Sequence, residues 1–437
     1  MDHGKDWDKT ARRHETGASV RGVKICIHRG SNQIGGSCVE VEHGGQRIIL
    51  DFGLPLDAES NDKNLLPAIK GLDGSDPSLL GIFISHMHLD HMGLLKHISP
   101  RVKVGMGVAS RRIMDAALPF LPDKFPSAPT GWDFQPWQPI QVGPFTITPH
   151  LVDHSAYDAY AFLLEADGKR VFYTGDFRAH GRKASIFQRM LNKPLKNIDA
   201  LLMEGSSLGR LAPDQRFPTE QEIEEQLVRA FAGTKGLAMV HASSQNIDRI
   251  VSIMRAAKRS GRVLLIDLYT AVVLAATDNV NIPQSHWQEV ALFVPHSQRV
   301  KIQKKKWFDT LKKHSSNRVF IEMISQNPEK FTLLFRPLYI HDLNRANCLQ
   351  DAAYIYSQWE GYWERGDYDK VKEWLGENGI TKQSIHTSGH ASPADLQDFV
   401  KAMSPGKVVP IHSFLPDQYA SLFPNVEAHQ DGEWWAV

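Results

Sequence analysis

The sequence predicts an α/β protein built in two parts, a strand-rich domain interrupted by a second, helix-dominated α/β domain. Three observations lead there. Short β-type runs separated by Gly-rich turns fill residues 23–204. After Gly205 the apolar residues recur at helical spacing instead. The first style returns beyond residue 382 and continues to the end of the chain.

The early runs are VKICIH, CVEVEH, QRIILDFG, GIFISH, FTITPHLVDH, AYAFLLEA, KRVFYTGD and DALLME, rich in the branched and aromatic residues that suit a pleated surface. Among them, the prolines of Pro119 to Pro144 forbid regular structure and predict a long ordered loop, with Trp132 and Trp137 to pin it to a surface. Thr219 and Glu222 frame a capping box, and Ile223, Leu227 and Phe231 mark one helical face up to Gly233. LAMVHAS, a helix with Ile247, Ile250, Val251 and Met254 on one side, and RVLLID make a parallel crossover unit. Residues 207–382 are therefore expected to be a separate domain, flanked by 21–206 and 383–437 as one discontinuous domain. In the last part SIHTSGH reads as strand and turn. Ser392 caps a helix with Pro393 at its first position, and KVVPIH is a strand. Residues 1–20 are polar, lack an apolar signal run, and read as a flexible N-terminal tail.

A length of 437 residues suits two or three domains. Lysine plus arginine is 50 against 49 acids, so the net charge of +1 excludes a strong overall basic field, and any anionic partner must be held locally. Cys26, Cys38 and Cys348 are too few for a disulfide framework or a cysteine zinc cluster, and a cytoplasmic location is expected. The most apolar stretch, Val263 to Val280, is broken by Asp267 and Asp278, so no membrane association is expected. What stands out is 20 histidines, several beside aspartates.

The sharpest signal is Ser85-His86-Met87-His88-Leu89-Asp90-His91, placed between the apolar GIFI and the helix-like GLLKHI. It sets four candidate ligands on one strand-to-helix turn. Imidazole nitrogen and carboxylate oxygen suit zinc, and such spacing arises by chance in roughly 0.3% of chains with this histidine content. Two tetrahedral sites need further ligands. His154 ends FTITPHLVDH and Asp176 ends RVFYTGD, both at strand ends. Asp51 in QRIILDFG has the same setting and reads as an orienting residue rather than a ligand.

The ordered series Asp51, His86-x-His88-x-Asp90-His91, His154 and Asp176 resembles the motifs of the metallo-β-lactamase superfamily. Glu204 in LLMEGSS, His390 in HTSGHAS and His412 in VVPIHSF resemble motifs A, B and C of its β-CASP nuclease group, as in RNase J and the polyadenylation-factor endonuclease. The resemblance implies an αββα sandwich with an inserted α/β β-CASP lid at 207–382. It implies two Zn2+ ions, with Mn2+ as the other candidate: His86, His88, His154 and Asp176 around one, Asp90, His91, Asp176 and His412 around the other, Asp176 bridging. Asp90 counts among the catalytic residues as well as the ligands. A hydroxide activated between the ions would attack phosphorus, and His390, oriented by Glu204, would protonate the leaving oxygen.

A histidine at motif C is typical of RNA-acting members, so the implied function is a metal-dependent ribonuclease of single-stranded RNA, endonucleolytic, 5′-to-3′ exonucleolytic or both. Ser206, Ser388 and Gly389 would offer donors to a substrate phosphate. The densest basic run, with Lys304, Lys305 and Lys306 at its centre and Trp307 within it as a stacking surface, would track a single-stranded backbone. Motif A is glutamate where RNase J usually has aspartate. The chain stops 25 residues after His412, so the C-terminal dimerisation domain common in bacterial RNase J is expected to be absent, and the sequence leaves an oligomer open. The competing readings are a β-CASP DNA nuclease, a small-molecule ester or lactone hydrolase on the same fold, and an RNA-binding scaffold without activity. A lid of this length argues against the small-molecule reading, and the full ligand set against the scaffold.

Overall fold

Each of the eight early β-type runs forms a strand, because each offers alternating or continuous apolar positions that the neighbouring layers bury. The computed structural model describes residues 22–121, 126–127 and 130–437, and the expected N-terminal tail lies outside them. A seven-stranded sheet runs in the order Trp434–Ala436, Lys24–Arg29, Cys38–His43, Gln46–Leu50, Leu79–Phe83, Val104–Gly107, Asp133–Phe134. A six-stranded sheet follows the order Lys407–Ile411, Ala200–Glu204, Lys169–Tyr173, Ala159–Ala166, Phe145–Val152, Ile140–Val142. Their facing side chains, among them Ile25, Val39, Ile48, Phe83, Phe162, Val171, Leu202 and Val409, share one core. Outside this pair, the helix Val108–Ala117 packs Ile113 and Met114 against the first sheet. Phe187 of Ala184–Asn192 and Leu396 and Phe399 of Pro393–Met403 cover the second. The result is an αββα sandwich.

The third sheet is parallel throughout and drawn from residues 238–384, in the order Arg318–Val319, Val290–Phe293, Val263–Ile266, Phe331–Phe335, Ala238–His241, Ala353–Tyr356, Lys382–Ser384. Helices lie on both faces. Glu220–Gly233, Ile247–Arg259 and Leu268–Ala276 cover one side. Leu343 of Ile340–Ala346 and Trp374 of Asp369–Glu377 cover the other. Among the described residues no helix is long and apolar enough to cross a membrane.

Local structure departs from some of these expectations and completes others. The stretch Pro119 to Pro144 is not all loop: Asp133–Phe134 and Ile140–Val142 each pair at a sheet edge, where a strand needs only one partner and prolines on either side do no harm. Trp132 stacks on Phe83 with 5.0 Å between ring centroids, and the Arg189 guanidinium lies 4.9 Å over the Trp137 ring. The crossover strands Ala238–His241 and Val263–Ile266 are parallel but not adjacent, because Phe331–Phe335 inserts between them. SIHTSGH contributes only its first residue to a strand, which is Lys382–Ser384, and the remainder is loop. The basic run is two helices, His296–Lys305 and Phe308–Lys313, broken at Lys306 in the left-handed conformation.

A buried ionic cluster fastens the helical layer of the third sheet to the second sheet's loops. Arg178 is fully buried and reaches Asp153 at 3.2 Å and Asp248 at 2.6 Å. Arg249 holds both oxygens of Glu220, at 2.9 and 3.2 Å, and donates to the carbonyl of Ser357 at 3.2 Å. Burial alone would raise the Glu220 carboxyl, but Arg249 and Arg178 hold it well below the usual carboxylate range. Arg249→Ala removes the bidentate partner of a buried carboxylate, leaving it Arg178 and Ser252, and should cost about 3 kcal/mol of stability. Chemical denaturation of the two proteins reads this directly; a loss within about 0.5 kcal/mol would show the cluster to be dispensable.

Candidate metal centre

The candidate ligands meet because each ends a strand or opens a helix at the same end of the sandwich. Asp51 follows Gln46–Leu50 with φ of 58°, and its carboxylate accepts from the Ser85 amide and hydroxyl, both at 2.7 Å, His91 Nδ1 at 2.7 Å and the Tyr173 hydroxyl at 2.6 Å. Four donors occupy it, which leaves it to orient His91 and the Ser85 turn. Two residues on, Gly53 lies so close to the Asp90 carbonyl that a Cβ would sit 1.8 Å from that oxygen. Only glycine lets the 51–53 turn lie against the 85–91 turn, and the amides of Phe52 and Ser37 bond the carbonyls of His91 and Asp90 across this contact.

One cluster is His86, His88 and His154. Their inward nitrogens lie close together, with His86 Nε2 3.1 Å and His154 Nε2 3.2 Å from His88 Nδ1. The outward nitrogens are held: His86 Nδ1 is 3.0 Å from the Ser85 hydroxyl, and His154 Nδ1 donates to the Gly389 carbonyl at 2.6 Å. Burial and then the neighbouring imidazoles drive His86 and His154 well below the usual histidine range, while burial lowers His88. Three neutral rings then turn lone pairs toward one point, an arrangement that repels itself without a cation to share.

The second cluster is Asp90, His91, Asp176 and His412. Asp176 Oδ2 lies 3.1 Å from His91 Nε2, 3.7 Å from His412 Nε2 and 3.8 Å from His86 Nε2, so one carboxylate oxygen faces both clusters. His412 follows Lys407–Ile411 with φ of 53°, and its Nδ1 meets the Ser37 hydroxyl at 2.7 Å. His91 Nε2, His412 Nε2 and Asp176 Oδ1 are buried without a hydrogen-bond partner. Orphaned polar atoms of this kind are costly, and divalent cations would satisfy all three. Burial opposes the charge on Asp176, yet His412, His91 and His390 hold its carboxyl well below the usual range.

His390 stands beside these clusters and is 22% exposed. Its Nδ1 is 2.9 Å from Glu204 Oε2 and 3.6 Å from Asp176 Oδ2. Although burial works against it, Glu204 and Asp176 raise the imidazole to about 9. Glu204 ends the strand Ala200–Glu204, fully buried, and accepts from the Phe177 amide and the Ser206 hydroxyl, both at 2.8 Å. The ring of His390 is thus set by a carboxylate that is itself set.

The expected phosphate donors sit differently. The Ser206 hydroxyl is buried and serves Glu204, Ser388 accepts the His390 amide at 3.1 Å, and the Gly389 carbonyl takes the His154 proton. Each thus engages a residue of the site through one polar atom. Lys304, Lys305 and Lys306 are exposed at the end of His296–Lys305. Trp307, expected as a stacking surface among them, is partly buried with its ring 4.9 Å from that of Phe120. The sequence reading missed Ser37, Tyr173, Asp153 and Arg178. The last two adjoin His154 and Asp176 in VDH and DFR, where a charge beside a ligand at a strand end is a readable signal.

Residues 48–266, half of the chain, match the model of the Beta-lactamase superfamily domain, and residues 381–413 match that of the Zn-dependent metallo-hydrolase RNA specificity domain. Ribonuclease J of Mycobacterium tuberculosis is 23% identical over 248 residues, covering 55% of this chain and 44% of the relative. Ribonuclease J of Sinorhizobium meliloti is 24% identical over 360 residues, with 80% and 60% covered. That of Mycoplasma genitalium is 21% identical over 408 residues, with 89% and 68% covered. The match thus spans under half of the Mycobacterium relative's length and about two thirds of the Mycoplasma one's. A crystal structure of a protein of unknown function from Enterococcus faecalis shares the fold, with a TM-score of 0.76 at 20% identity, covering 95% of this chain and 100% of that one. The sandwich, the clustered histidines and aspartates and the two family matches lead to one conclusion: the chain belongs to the metallo-β-lactamase superfamily, in its β-CASP, RNase J-like group.

Proposed function

We propose that this protein is a two-metal ribonuclease acting on single-stranded RNA, with zinc in both sites. The observation that carries the reading is Asp176 Oδ2, shared between two histidine-rich clusters, with the His390–Glu204 pair 3.6 Å away. His86, His88, His154 and Asp176 would hold one ion, and Asp90, His91, Asp176 and His412 the other. Bound there, two divalent ions supply an activated water and offset the charge that develops on a phosphate. Asp51 fixes His91 through its Nδ1, and Ser37 fixes His412 in the same way. His390, with Nδ1 held by Glu204, turns Nε2 outward as the proton donor to the leaving oxygen.

Residues 207–382 are the lid domain in this reading, with 21–206 and 383–437 as the sandwich, and Lys304–Lys306 hold the RNA backbone. The names of the Ribonuclease J relatives and of the RNA specificity domain support RNA as the substrate.

The test combines metal analysis with incubation of the purified chain and two single-stranded RNAs, one 5′-monophosphorylated and linear, one circular. Two ions per chain and metal-dependent decay of the linear RNA are expected, both reduced in Asp90→Ala. Cutting of the circle assigns endonuclease action, and its survival beside decay of the linear RNA assigns exonuclease action. Two bound ions with neither RNA touched would overturn the RNA reading and make DNA of the same sequence the next substrate.

A further inference from the structure

Two loops leave the carboxyl ends of adjacent parallel strands, where open α/β sheets place their ligands. Tyr356 pairs with Ser384 in this register. From Ser384 the chain runs on to His390, and from Tyr356 it runs into the short helix Glu360–Glu364. The two are tied together. The Ser357 hydroxyl donates to the Ile385 carbonyl at 2.6 Å, Lys382 reaches Glu360 at 2.6 Å, and Ser384 donates to the same carboxylate. Arg249 joins them from below through Ser357 and His386.

The helix faces are divided sharply. Trp363 points inward and packs on Tyr356 and Tyr368, with Lys382 4.6 Å over its ring. Trp359 and Tyr362 point outward, 37% and 39% exposed, with ring centroids 5.2 Å apart at an interplanar angle of 85°. Glycine disfavours a helix, yet Gly361 stands in this one. A Cβ there would lie 2.3 Å from the Trp359 indole, so its absence lets the indole lie on the helix backbone. The Arg365 guanidinium stacks 5.1 Å over the same indole. The indole is thereby clamped, and Tyr362 stands edge-on against a fixed support.

Two large exposed aromatics with an arginine, held rigidly on a loop tied to the one that leads to His390, suit an unpaired nucleobase better than a folding role, because an inward face already supplies the packing. The hydrogen bonds from Ser357 to Ile385 and from Ser384 to Glu360 fasten this aromatic helix to the start of the segment that ends at His390.

We infer that Tyr362, braced by Trp359, Gly361 and Arg365, is a stacking platform for a base of single-stranded RNA next to the bond being cut. The inference rests on the ribonuclease reading and adds to it a base-holding subsite. Tyr362 is a substrate-positioning residue, since its ring meets a base and not the reacting atoms. Stacking tolerates any base, so the platform selects for unpaired strands and not for sequence.

The test uses single-stranded RNA with 2-aminopurine scanned through the sequence and phosphorothioate linkages to slow cleavage, bound to the metal-loaded full chain. Wild type and Tyr362→Phe should quench one label position strongly, as stacked 2-aminopurine does. Tyr362→Ala and Tyr362→Leu should abolish that quench and weaken binding by about 5- to 100-fold, raising KM more than they lower kcat on plain RNA. Tyr362→Leu keeps apolar bulk without a ring and separates stacking from folding. If both variants quench and bind like wild type while wild type binds and cleaves RNA, the platform is wrong and the ribonuclease reading stands. If wild type neither binds nor cleaves RNA, that reading fails and the platform falls with it.

Discussion

His390→Ala is expected to slow RNA cleavage by about 10²- to 10⁴-fold while metal content stays at the wild-type level. The reason is the division of its ring: Nδ1 lies 2.9 Å from Glu204 Oε2, a pairing that sets the angle of the ring and, with Asp176, keeps it protonated, so that Nε2 carries the proton to be given up. In the proposed reaction a group placed so donates a proton and does not need to hold an ion. The geometry also sharpens the test, because Asp176, Glu204 and His390 themselves offer three ligand atoms within 4.8 Å of one another. Metal analysis of the purified variant therefore decides the role: loss of one equivalent would make His390 a ligand. Glu204→Gln should reproduce much of the rate loss, since it keeps the shape and removes the charge that steadies the ring.

Asp176→Asn is expected to do more damage than any other single change at this centre, lowering metal affinity by more than about 100-fold and activity to background. Its Oδ2 faces His86, His91, His390 and His412, so removing the charge affects both ion sites at once. Asp51→Asn is the informative comparison. Asp51 touches His91 from behind, and loss of such an outer partner typically costs 10–100-fold in metal affinity or activity. Metal titration of both variants tests the distinction, and equal losses would mean that Asp51 ligates or that Asp176 does not bridge.

Much of the fold and of this centre was legible in the residue order. The eight early strands followed from period and composition alone, and the helices Glu220–Gly233 and Pro393–Met403 begin at capping boxes that the sequence displays, Thr219 with Glu222 and Ser392 with Asp395. His86, His88, Asp90 and His91 share one turn, so their spacing alone marks a metal site. His154, Asp176, His390 and His412 are farther along the chain, and their grouping came from a family resemblance.

Other features depend on contacts the chain order does not encode. Short strands such as Asp133–Phe134 form because an edge happened to be free, whatever the prolines nearby suggest. The Ser206 hydroxyl, the Ser388 hydroxyl and the Gly389 carbonyl are engaged by Glu204, His390 and His154, pairings that a motif cannot reveal. The sequence by itself determined the strands, the capped helices, the α/β class and the candidate ligand turn at His86 to His91, since periodicity, caps and short spacings are local properties. Only the tertiary structure decided which carboxylate oxygen faces both histidine clusters, which nitrogen of each imidazole is left facing inward, and that Trp359 and Tyr362 stand edge to face at the surface. Those are distances between strand ends far apart in sequence, set by how three sheets pack and not by any one segment.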